Sequence, residues 1–507
     1  MASTDRIIVK SIVKNLDYFN DYVAKSVKYP EYLEFPLDND IQKSIRELKT
    51  LEDDEYAIFK RIEVVKTLWK DLVKKAIICL RYFDGREPYL DNPNKNPQAY
   101  GIEKLNDYFE SYSGFESLLY GGNQYYRDHV VHVFRVWLLG IELLIKKECN
   151  FLDTIKVSKR ETENPLEKLS IWTLVSLTHD LGYPLEKALD IIGKTKEMMG
   201  AFVVNPVVSM DLSFTGVQNV MNDYVLRFIS SKMVEIKETA KTIVEEKDEE
   251  KKDYVARLQP KYYFKFQKSL EHNDHGVISA LIIYKLLIYF LESDYSINED
   301  YYFSKEDCRQ FFIRREILRA IASHTCHDIY QQDAFNFSFL LILCDDAQEW
   351  GRKYISELYV EKGEKYSYWG IDLSTEKQKD DEKDTEKEVL VCTLTDEYEL
   401  DPSIPIDPVL SRFKEQSKTY RVVFRDGQDT KNRNFIFKRI MKINILESPK
   451  MEYTITLEVS ITEQTTITVT RDGNKAIDTM GNFYKAFTGV FKDSTLSEDG
   501  KMIRFKL

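Results

Sequence analysis

Seven histidines, grouped in four short clusters, constrain this chain more than any other feature of its sequence. The clusters are His129 with His132, His179 alone, His272 with His275, and His324 with His327. Three of them have the spacing H-x-x-H, which places both rings on one helical face, and the apolar periodicity around them predicts helices. Histidines with separate local roles would be scattered instead. We therefore predict a metal site assembled from several helices.

The single histidine follows an apolar helical run in residues 171–186 (IWTLVSLTHDLGYPLE). Gly182 and Pro184 are expected to end this run, so that His179 and Asp180 lie at the mouth of a mostly buried helix. An adjacent imidazole and carboxylate can supply nitrogen and oxygen ligands to a divalent cation. On this stretch alone a hydrogen-bonded core histidine is the more common alternative, and the other three clusters are what favours a metal site.

Five segments resemble, in order, the motifs H…HD…H…H…D of the HD-domain superfamily of metal-dependent phosphohydrolases. They are RDHVVHVFRV, LTHDLGYP, EHNDHGVISA, IASHTCHD and LILCDDAQEWGR. Together they span residues 120–352, about half of the chain. The ordered match is specific for the superfamily but not for a substrate. It implies an all-helical catalytic core that carries a metal centre.

The resemblance implies six metal ligands. They are His132, His179, Asp180, His275, His324 and Asp345. One ion would be held by His132, His179 and Asp345. A second would be held by His275 and His324, with Asp180 bridging the two. Mixed nitrogen and oxygen ligands favour Mn, Fe, Co, Ni or Zn over Mg, so the expected cofactors are two such divalent ions.

Three further residues are candidates for direct roles in the reaction: His129, His272 and Arg352. Because His132 starts the superfamily's H-x-x-x-V pattern, the resemblance favours it as the ligand and leaves His129 as a proton donor, although the opposite assignment stays open. Either His129 or His272 would protonate the leaving oxygen. Arg352 follows Asp345 at helical spacing and would hold a phosphate, with a surface ion pair as the alternative.

Composition limits the classes of partner. Lys and Arg number 72 against 84 Asp and Glu, a formal net charge of −12, which argues against broad binding to nucleic acid. The six cysteines include no C-x-x-C pair, a pattern typical of reduced intracellular proteins. The first residues contain no signal-peptide core, and the longest apolar stretch, residues 277–291, is too short to span a bilayer. We expect a soluble, cytoplasmic protein without a membrane partner.

The predicted fold is mainly α, with an HD-type all-helical core. Residues 1–110 are predicted to be N-terminal helices that pack on this core, and residues 111–355 form the core itself. Within the core, residues 190–267 are an insertion with a helical run from Val217 to about Glu246. The insertion is either a lid that selects the substrate or simple scaffold, and the sequence leaves both open.

The composition changes after residue 355. Residues 356–388 are predicted to be a charged linker, because residues 374–388 (STEKQKDDEKDTEKE) are almost all charged. Residues 389–507 are predicted to be a β-rich (α+β) domain, since apolar and polar residues alternate from Tyr453 to Ile461 and Arg471-Asp472-Gly473-Asn474 signals a turn. This domain carries no catalytic motif. We expect it to bind a protein partner, a ligand or a second copy of the chain.

The function favoured by these features is hydrolysis of a phosphate ester or phosphodiester in a nucleotide-like small molecule, by a water that two metal ions activate. Two alternatives stay open. A di-iron oxygenase of the same architecture would use the same ligand set, and a non-catalytic scaffold would use the metal only to hold helices together. The sequence contains no signature that identifies the substrate.

Overall fold

A computed structural model of the chain provides the fold. The described residues are 4–28, 43–44, 58–85, 101–122, 127–146, 151–155, 157, 164–201, 217–236, 253–293, 295–298, 300–326, 328–329, 336–350, 364–380, 385–400, 405–424, 435–448, 451–460, 465–471, 474–475, 489–490, 495–496 and 503–505.

Three N-terminal helices pack on the helices that carry the histidines. They are α1 (Thr4–Ser26), α2 (Ile58–Phe83) and α3 (Ile102–Gly122). In α2 the apolar residues at three- and four-residue spacing, such as Leu68 and Leu72, are buried. One stripe of this helix therefore faces the core.

The core helices surround α6, which is buried along its whole length. Their bounds are α4 (Val130–Ile145), α5 (Phe151–Thr154), α6 (Pro165–Thr178), α7 (Tyr183–Met199), α8 (Val217–Ser230), α9 (Pro260–Glu271), α10 (His275–Leu286), α11 (Lys305–Ser323) and α12 (Phe337–Ala347). All 14 residues of α6 are buried, and a helix without an exposed face belongs in the middle of the packing. Asn164 begins α6 in a capping box with Glu167.

The longest apolar stretch of the sequence lies in α10 and the turn that follows it. Its apolar residues, such as Val277, Ile283 and Phe290, are buried in the core. Most of this apolar stretch therefore belongs to the buried core, although Leu291 at its end is exposed. Among the described residues, no helix combines the length and the apolar character that crossing a membrane requires.

Part of the insertion is a β-hairpin. β1 (Ser231–Ile236) follows α8 directly and pairs antiparallel with β2 (Asp253–Leu258). The predicted helical run is therefore wrong from Ser231 to Ile236, and its last residues, 237–246, lie outside the described residues. The backbone amide of Phe303 donates to the carbonyl of Tyr254 at 2.7 Å, so β2 is also held by a residue that is distant in sequence. Local periodicity does not reveal such partners, and tertiary context decides in favour of strands.

The C-terminal strands form one mixed sheet. Their bounds are β3 (Glu364–Asp380), β4 (Thr385–Leu400), β5 (Phe435–Ser448), β6 (Met451–Ser460), β7 (Thr465–Arg471), β8 (Asn474–Lys475), β9 (Thr495–Leu496) and β10 (Ile503–Phe505), with α13 (Asp407–Phe424) between β4 and β5. The strand order is β3-β4-β5-β6-β7-β10-β9, and β8 pairs with β7. β4 and β5 are parallel, and the other described pairs are antiparallel.

Two predictions within this region are confirmed. The alternating stretch that begins at Tyr453 lies in β6. Arg471 pairs with Asn474, as the turn signal between them predicts. The described part of the chain is thus mainly helical, with a smaller region of sheet.

The predicted charged linker is wrong, because its residues belong largely to β3 and β4, which pair in a long hairpin. The register pairs Lys377 with Glu388 and Lys379 with Glu386. Opposite charges at paired positions favour antiparallel pairing. β3 also lies at the edge of the sheet, where charged residues are common. The run of charge therefore marks an edge hairpin.

The sheet shares its apolar interior with the helices. Cys392, Leu394 and Phe437 are buried in the same cluster as the apolar residues of the core helices. In addition, Nε2 of Gln416 on α13 donates to the backbone carbonyl of Asp346 on α12 at 3.3 Å. The C-terminal region therefore packs against the helix that carries the last predicted metal ligand.

Candidate metal centre

The predicted ligands lie at the ends of helices that meet at one place. His132 is in the first turn of α4, and His275 is the first residue of α10. His179 and His324 directly follow the last residues of α6 and α11. Asp345 is in the last turn of α12. Helix ends bring these short side chains together while the apolar helix bodies form the surrounding core.

Two glycines allow the helix ends to approach closely. A Cβ on Gly182 would lie 2.4 Å from the carbonyl oxygen of His275, and the Gly182 amide donates to Ser279 Oγ at 2.7 Å. A Cβ on Gly276 would lie 2.9 Å from Nδ1 of His324. Atoms do not approach a Cβ this closely in proteins, so both positions require glycine. Gly182 thus brings α7 against α10, in addition to its predicted role of ending the previous helix.

The first ligand group consists of His132, His179 and Asp345, whose ligand atoms lie within 4.8 Å of one another. Nε2 of His132 is 2.8 Å from Oδ1 of Asp345, and Nε2 of His179 is 3.6 Å from the same oxygen. Both histidine rings are buried. The structure thus brings together the three residues predicted for one ion.

The residues predicted for the second ion, Asp180, His275 and His324, also lie close together and are called the second ligand group. A ligand atom of His179 likewise lies within 4.8 Å of those of Asp180 and His324. Nε2 of His275 is 3.3 Å from Oδ1 of Asp180 and 3.2 Å from Nε2 of His324. Nε2 of His324 is 3.7 Å from the same Asp180 oxygen. The other oxygen of Asp180, Oδ2, is 3.8 Å from Nε2 of His132. Asp180 therefore lies between the two groups, as the bridging prediction requires.

The Nδ1 atoms of all four histidines point away from Asp180 and Asp345 and toward other oxygen atoms. Nδ1 of His132 is 2.6 Å from Gln348 Oε1, and Nδ1 of His275 is 2.6 Å from Glu186 Oε2. Nδ1 of His179 is 2.8 Å from the Ser176 carbonyl, and Nδ1 of His324 is 2.6 Å from the Ile321 carbonyl. Each acceptor favours a hydrogen on Nδ1. In the neutral ring, Nε2 then carries the lone pair that a metal needs.

The charges of the two aspartates suit a cation. Burial by itself would raise the pKa of Asp180, but the histidines around it, His179 foremost, hold that pKa well below its ordinary value. Burial likewise opposes ionisation of Asp345, and hydrogen bonding to His132 and His179 holds its pKa well below the ordinary value. Both carboxylates are therefore ionised at neutral pH.

The imidazoles differ in their charge. Burial lowers the pKa of His275, but Asp180 and Glu186 outweigh burial and raise it to about 9. Burial is the dominant effect on His324 and lowers its pKa. Without a cation, the cluster thus holds a proton on His275, and a divalent ion would have to replace that proton.

The donor set fits divalent cations. Nε2 of His179 is buried and has no hydrogen-bond partner among the described residues, although it faces Asp180 and Asp345 at 3.5 and 3.6 Å. A buried nitrogen without a partner is uncommon unless an ion or water occupies the space before it. His and Asp ligands together suit Mn, Fe, Co, Ni or Zn. The described residues can therefore hold metal ions at this site.

His129 lies beside the cluster and not in it. Its ring stacks on Tyr183 at 3.8 Å between centroids, and Nδ1 is 3.4 Å from Oε1 of Glu116. The Glu116 carboxylate also accepts hydrogen bonds from the backbone amides of His129 and Val130 at the start of α4. The Asp128 carboxylate accepts from the Val131 amide and so caps the start of α4. These contacts hold His129 one helical turn before the ligand His132.

His272 is not brought to the cluster. It is exposed at the end of α9, and the next residue, Asn273, adopts a left-handed conformation with φ 58°. The chain therefore turns between His272 and His275, and the H-x-x-H spacing does not place these two rings on one helical face. Among the described residues, His272 has no contact with the ligands, and its assignment as a proton donor is withdrawn.

The predicted helical face after Asp345 is wrong, because α12 ends at Ala347. Gln348 instead accepts from His132, and Glu349 forms an ion pair with Arg127 at 2.6 Å. Arg352 and His327 lie outside the described residues.

Sequence reasoning missed two carboxylates near the site. Glu186 follows Asp180 by six residues and lies in the first turn of α7, so its nearness to the HD pair was a usable signal. Glu116 lies on α3, inside the predicted catalytic region but far from any histidine in sequence. Nothing local marks it, because the packing of α3 against the start of α4 creates its contacts.

The comparisons with known proteins place the chain in no family. No family model, no curated protein and no solved structure matches it.

Proposed function

We propose that this protein is a metal-dependent phosphohydrolase that cleaves a phosphate ester or phosphodiester of a nucleotide-like small molecule. The observation that carries the proposal is the common orientation of four histidines: each turns Nδ1 toward an oxygen acceptor and Nε2 toward Asp180 or Asp345. A fold that only needed buried histidines would not require all four to face one place. The phosphate chemistry follows from the resemblance to the HD-domain superfamily.

Two ligand groups joined by a bridging aspartate suit a pair of ions. His132, His179 and Asp345 would hold one ion, and His275 and His324 the other. Asp180 turns Oδ2 toward His132 and Oδ1 toward His179, His275 and His324. When bound, such ions lower the pKa of a water molecule and stabilise charge on phosphoryl oxygens. Because the protein supplies few ligands to each ion, positions remain for water and substrate.

His129 is the proposed proton donor to the leaving oxygen. The carboxylate of Glu116 lies 3.4 Å from its Nδ1 and can hold the ring in position. Its other neighbour, Tyr183, also contacts the ring of His275 edge-on at 5.3 Å between centroids. The stacked pair thus places His129 next to the second ligand group, at the edge of the site.

A positive charge lies at the same edge. Nζ of Lys187 is 2.8 Å from Oε1 of Glu186 and 5.2 Å from the centre of the Tyr183 ring. Glu186 in turn holds the ligand His275. A partly exposed ammonium group here is placed to attract the phosphate of an incoming substrate.

The test is a substrate screen with metal-loaded protein. Full-length protein is stripped of metal, loaded with Mn²⁺, Fe²⁺, Co²⁺, Ni²⁺ or Zn²⁺, and incubated with nucleoside phosphates and cyclic nucleotides. We expect release of phosphate, or opening of the cyclic phosphodiester, that depends on the ion and disappears in Asp180→Asn.

Two outcomes would contradict the proposal. Protein that binds two ions but turns over nothing in the screen would favour a scaffold. Consumption of dioxygen by the iron-loaded protein, without release of phosphate, would favour the oxygenase.

A further inference from the structure

We infer that Asp5, in the first turn of α1, is a positioning residue for the metal ligand His132. The inference rests on the proposed metal centre. It gives α1 a role in that centre, whereas the sequence predicted only that the N-terminal helices pack on the core. The connection runs through three buried residues, Gln348, Trp350 and Arg135.

The first step joins His132 to Gln348. Nδ1 of His132 donates to Oε1 of Gln348 at 2.6 Å, and Nε2 of Gln348 donates to the backbone carbonyl of Trp350 at 2.7 Å. The second bond fixes which end of the amide faces the histidine, because only the nitrogen end can donate to a carbonyl. Gln348 therefore keeps the hydrogen of His132 on Nδ1 and leaves Nε2 free for a metal ion.

The second step holds Trp350 in place from two sides. Its indole Nε1 donates to Oδ1 of Asp5 at 2.7 Å. The carbonyl oxygen of Trp350 accepts from Gln348 and also from Nη1 of Arg135, the latter at 3.3 Å. Arg135 lies on α4, one helical turn after His132. The position of the Trp350 carbonyl is thus set by Asp5 and by the ligand's own helix.

The third step closes the ring of contacts. Oδ1 of Asp5 accepts from Nε of Arg135 at 3.2 Å and Oδ2 accepts from Nη2 at 2.8 Å, a two-point guanidinium–carboxylate pair. Asp5 is 6% exposed and Arg135 3%. At this burial a charged pair has few other partners, so its geometry is closely defined. Asp5 therefore orients both groups that hold the Trp350 carbonyl.

The arrangement acts on one ligand group only. In the second group, Nδ1 of His275 is held by Glu186 on α7, whose side chain is 28% exposed. No described contact joins Glu186 to α1. Disturbing Asp5 should therefore weaken the ion held by His132, His179 and Asp345, while the ion held by His275 and His324 is retained.

A purely structural role for Asp5 makes a different prediction. The buried pair would then fasten α1 to the core, and its loss would lower stability without preference for either ion. Asp84 is a matched control. Its Oδ2 lies 3.0 Å from Nη2 of Arg314, and both side chains are buried. That pair contacts no metal ligand among the described residues.

The experiment is a Co²⁺ titration of metal-free, full-length protein, followed by the visible absorption of the bound ion. The variants are Asp5→Asn, Trp350→Phe and the control Asp84→Asn, each with its thermal melting temperature. Trp350→Phe removes the hydrogen bond to Asp5 and leaves the Asp5–Arg135 pair in place. If Asp5→Asn fails to fold, this variant still tests whether Asp5 positions His132.

We expect two Co²⁺ equivalents in the unchanged protein. In Asp5→Asn and Trp350→Phe, one equivalent should bind about 10-fold more weakly, the lower end of the effect of losing a group that orients a ligand. The other equivalent should change little. Asp84→Asn should lower the melting temperature and leave both affinities unchanged.

Equal weakening of both equivalents in Trp350→Phe, or no weakening, would overturn the role of Asp5. If the unchanged protein binds no Co²⁺, the proposed metal centre fails and the inference fails with it. The two failures are thus distinguishable in one series of titrations.

Discussion

Nδ1 of His275 donates to Oε2 of Glu186 at 2.6 Å, and the same carboxylate oxygen accepts the backbone amide of His275 at 3.2 Å. Glu186 therefore fixes both the ring and the first residue of α10. Burial would raise the pKa of Glu186, but hydrogen bonding to His275, its charge and Lys187 together lower that pKa to about 2. A carboxylate behind an imidazole makes its other nitrogen a stronger metal ligand.

The first prediction follows from this pair. Glu186→Gln keeps a hydrogen-bond acceptor but removes the charge, so the ion bound through His275 should be held about 10- to 100-fold more weakly. The ion bound through His132 should be unaffected, which a Co²⁺ titration can resolve. Glu197→Gln, on the exposed part of the same helix, is the control and should change neither affinity. Loss of both ions in Glu186→Gln would show that the two groups are not independent.

The second prediction concerns pH and the metal-free protein. The pKa of His275 is raised from 6.5 to about 9, because Asp180 and Glu186 outweigh the opposing effect of burial. Protonated His275 should therefore stabilise the fold fully below pH 6.5, and this contribution should disappear as the pH rises through 9, a loss on the order of 3 kcal/mol. Melting temperatures measured between pH 6 and 10 should decline more in the unchanged protein than in His275→Gln.

Metal binding should have the opposite dependence. Because an ion must replace the proton on His275, affinity for Co²⁺ should rise over the same pH range, and binding should release protons into a weakly buffered solution. If His275→Gln declines with pH as steeply as the unchanged protein, another group is responsible.

The third prediction separates ligand from proton donor at the start of α4. His132→Ala should lower both metal content and turnover, because it removes a ligand. His129→Ala should keep the metal and lose on the order of 10²–10⁴ in turnover, the usual contribution of a positioned acid. The loss should be smaller on a p-nitrophenyl phosphate ester, because its leaving group needs no protonation. Metal loss in His129→Ala with retention in His132→Ala would reverse the assignment.

The fourth prediction uses the close contact at Gly182. A Cβ there would lie 2.4 Å from a backbone carbonyl, so Gly182→Ala should separate α7 from α10 and destabilise the protein by about 1–3 kcal/mol. Gly193, on the same helix, has no atom within 4 Å of a built Cβ. Gly193→Ala should stabilise the helix by roughly 0.5–1 kcal/mol. Denaturant unfolding of both variants measures the contrast, and equal effects would contradict the packing of α7 on α10.

The six candidate ligands were predicted from short motifs whose order resembles the HD-domain superfamily, and the structure brings these six residues together. The adjacent residues His179 and Asp180, and the order of the other motifs, can be read from the sequence without knowledge of the fold. The acceptors behind the rings were not found. Glu116 reaches the start of α4 only after α3 has packed, and the carbonyls of Ser176 and Ile321 carry no mark in sequence.

Errors in the fold have the same physical origin. The H-x-x-H spacing of His272 and His275 predicts one helical face, but a single left-handed residue, Asn273, breaks the helix between them. The charged segment that includes Lys377 and Glu388 satisfies the rules for a linker, yet its backbone pairs across a hairpin in a register that puts these two residues opposite each other. The composition of a segment does not reveal which distant residues its strand will pair with.

The fifth prediction concerns the dependence of the metal centre on the C-terminal sheet. Leu394 on β4 is 1% exposed and belongs to the same apolar cluster as the core helices, and Gln416 on α13 holds the backbone of Asp346, next to the ligand Asp345. Leu394→Ala should therefore destabilise the protein by about 2–5 kcal/mol. The temperatures at which sheet structure and bound Co²⁺ are lost should fall by the same number of degrees.

Thr393→Ala, at the neighbouring half-buried position of the strand, is the control and should have a much smaller effect. Circular dichroism and Co²⁺ absorption recorded in the same melt make the comparison. If the sheet unfolds early in Leu394→Ala while Co²⁺ is lost at an unchanged temperature, the sheet is an independent domain and the shared interior does not support the metal centre.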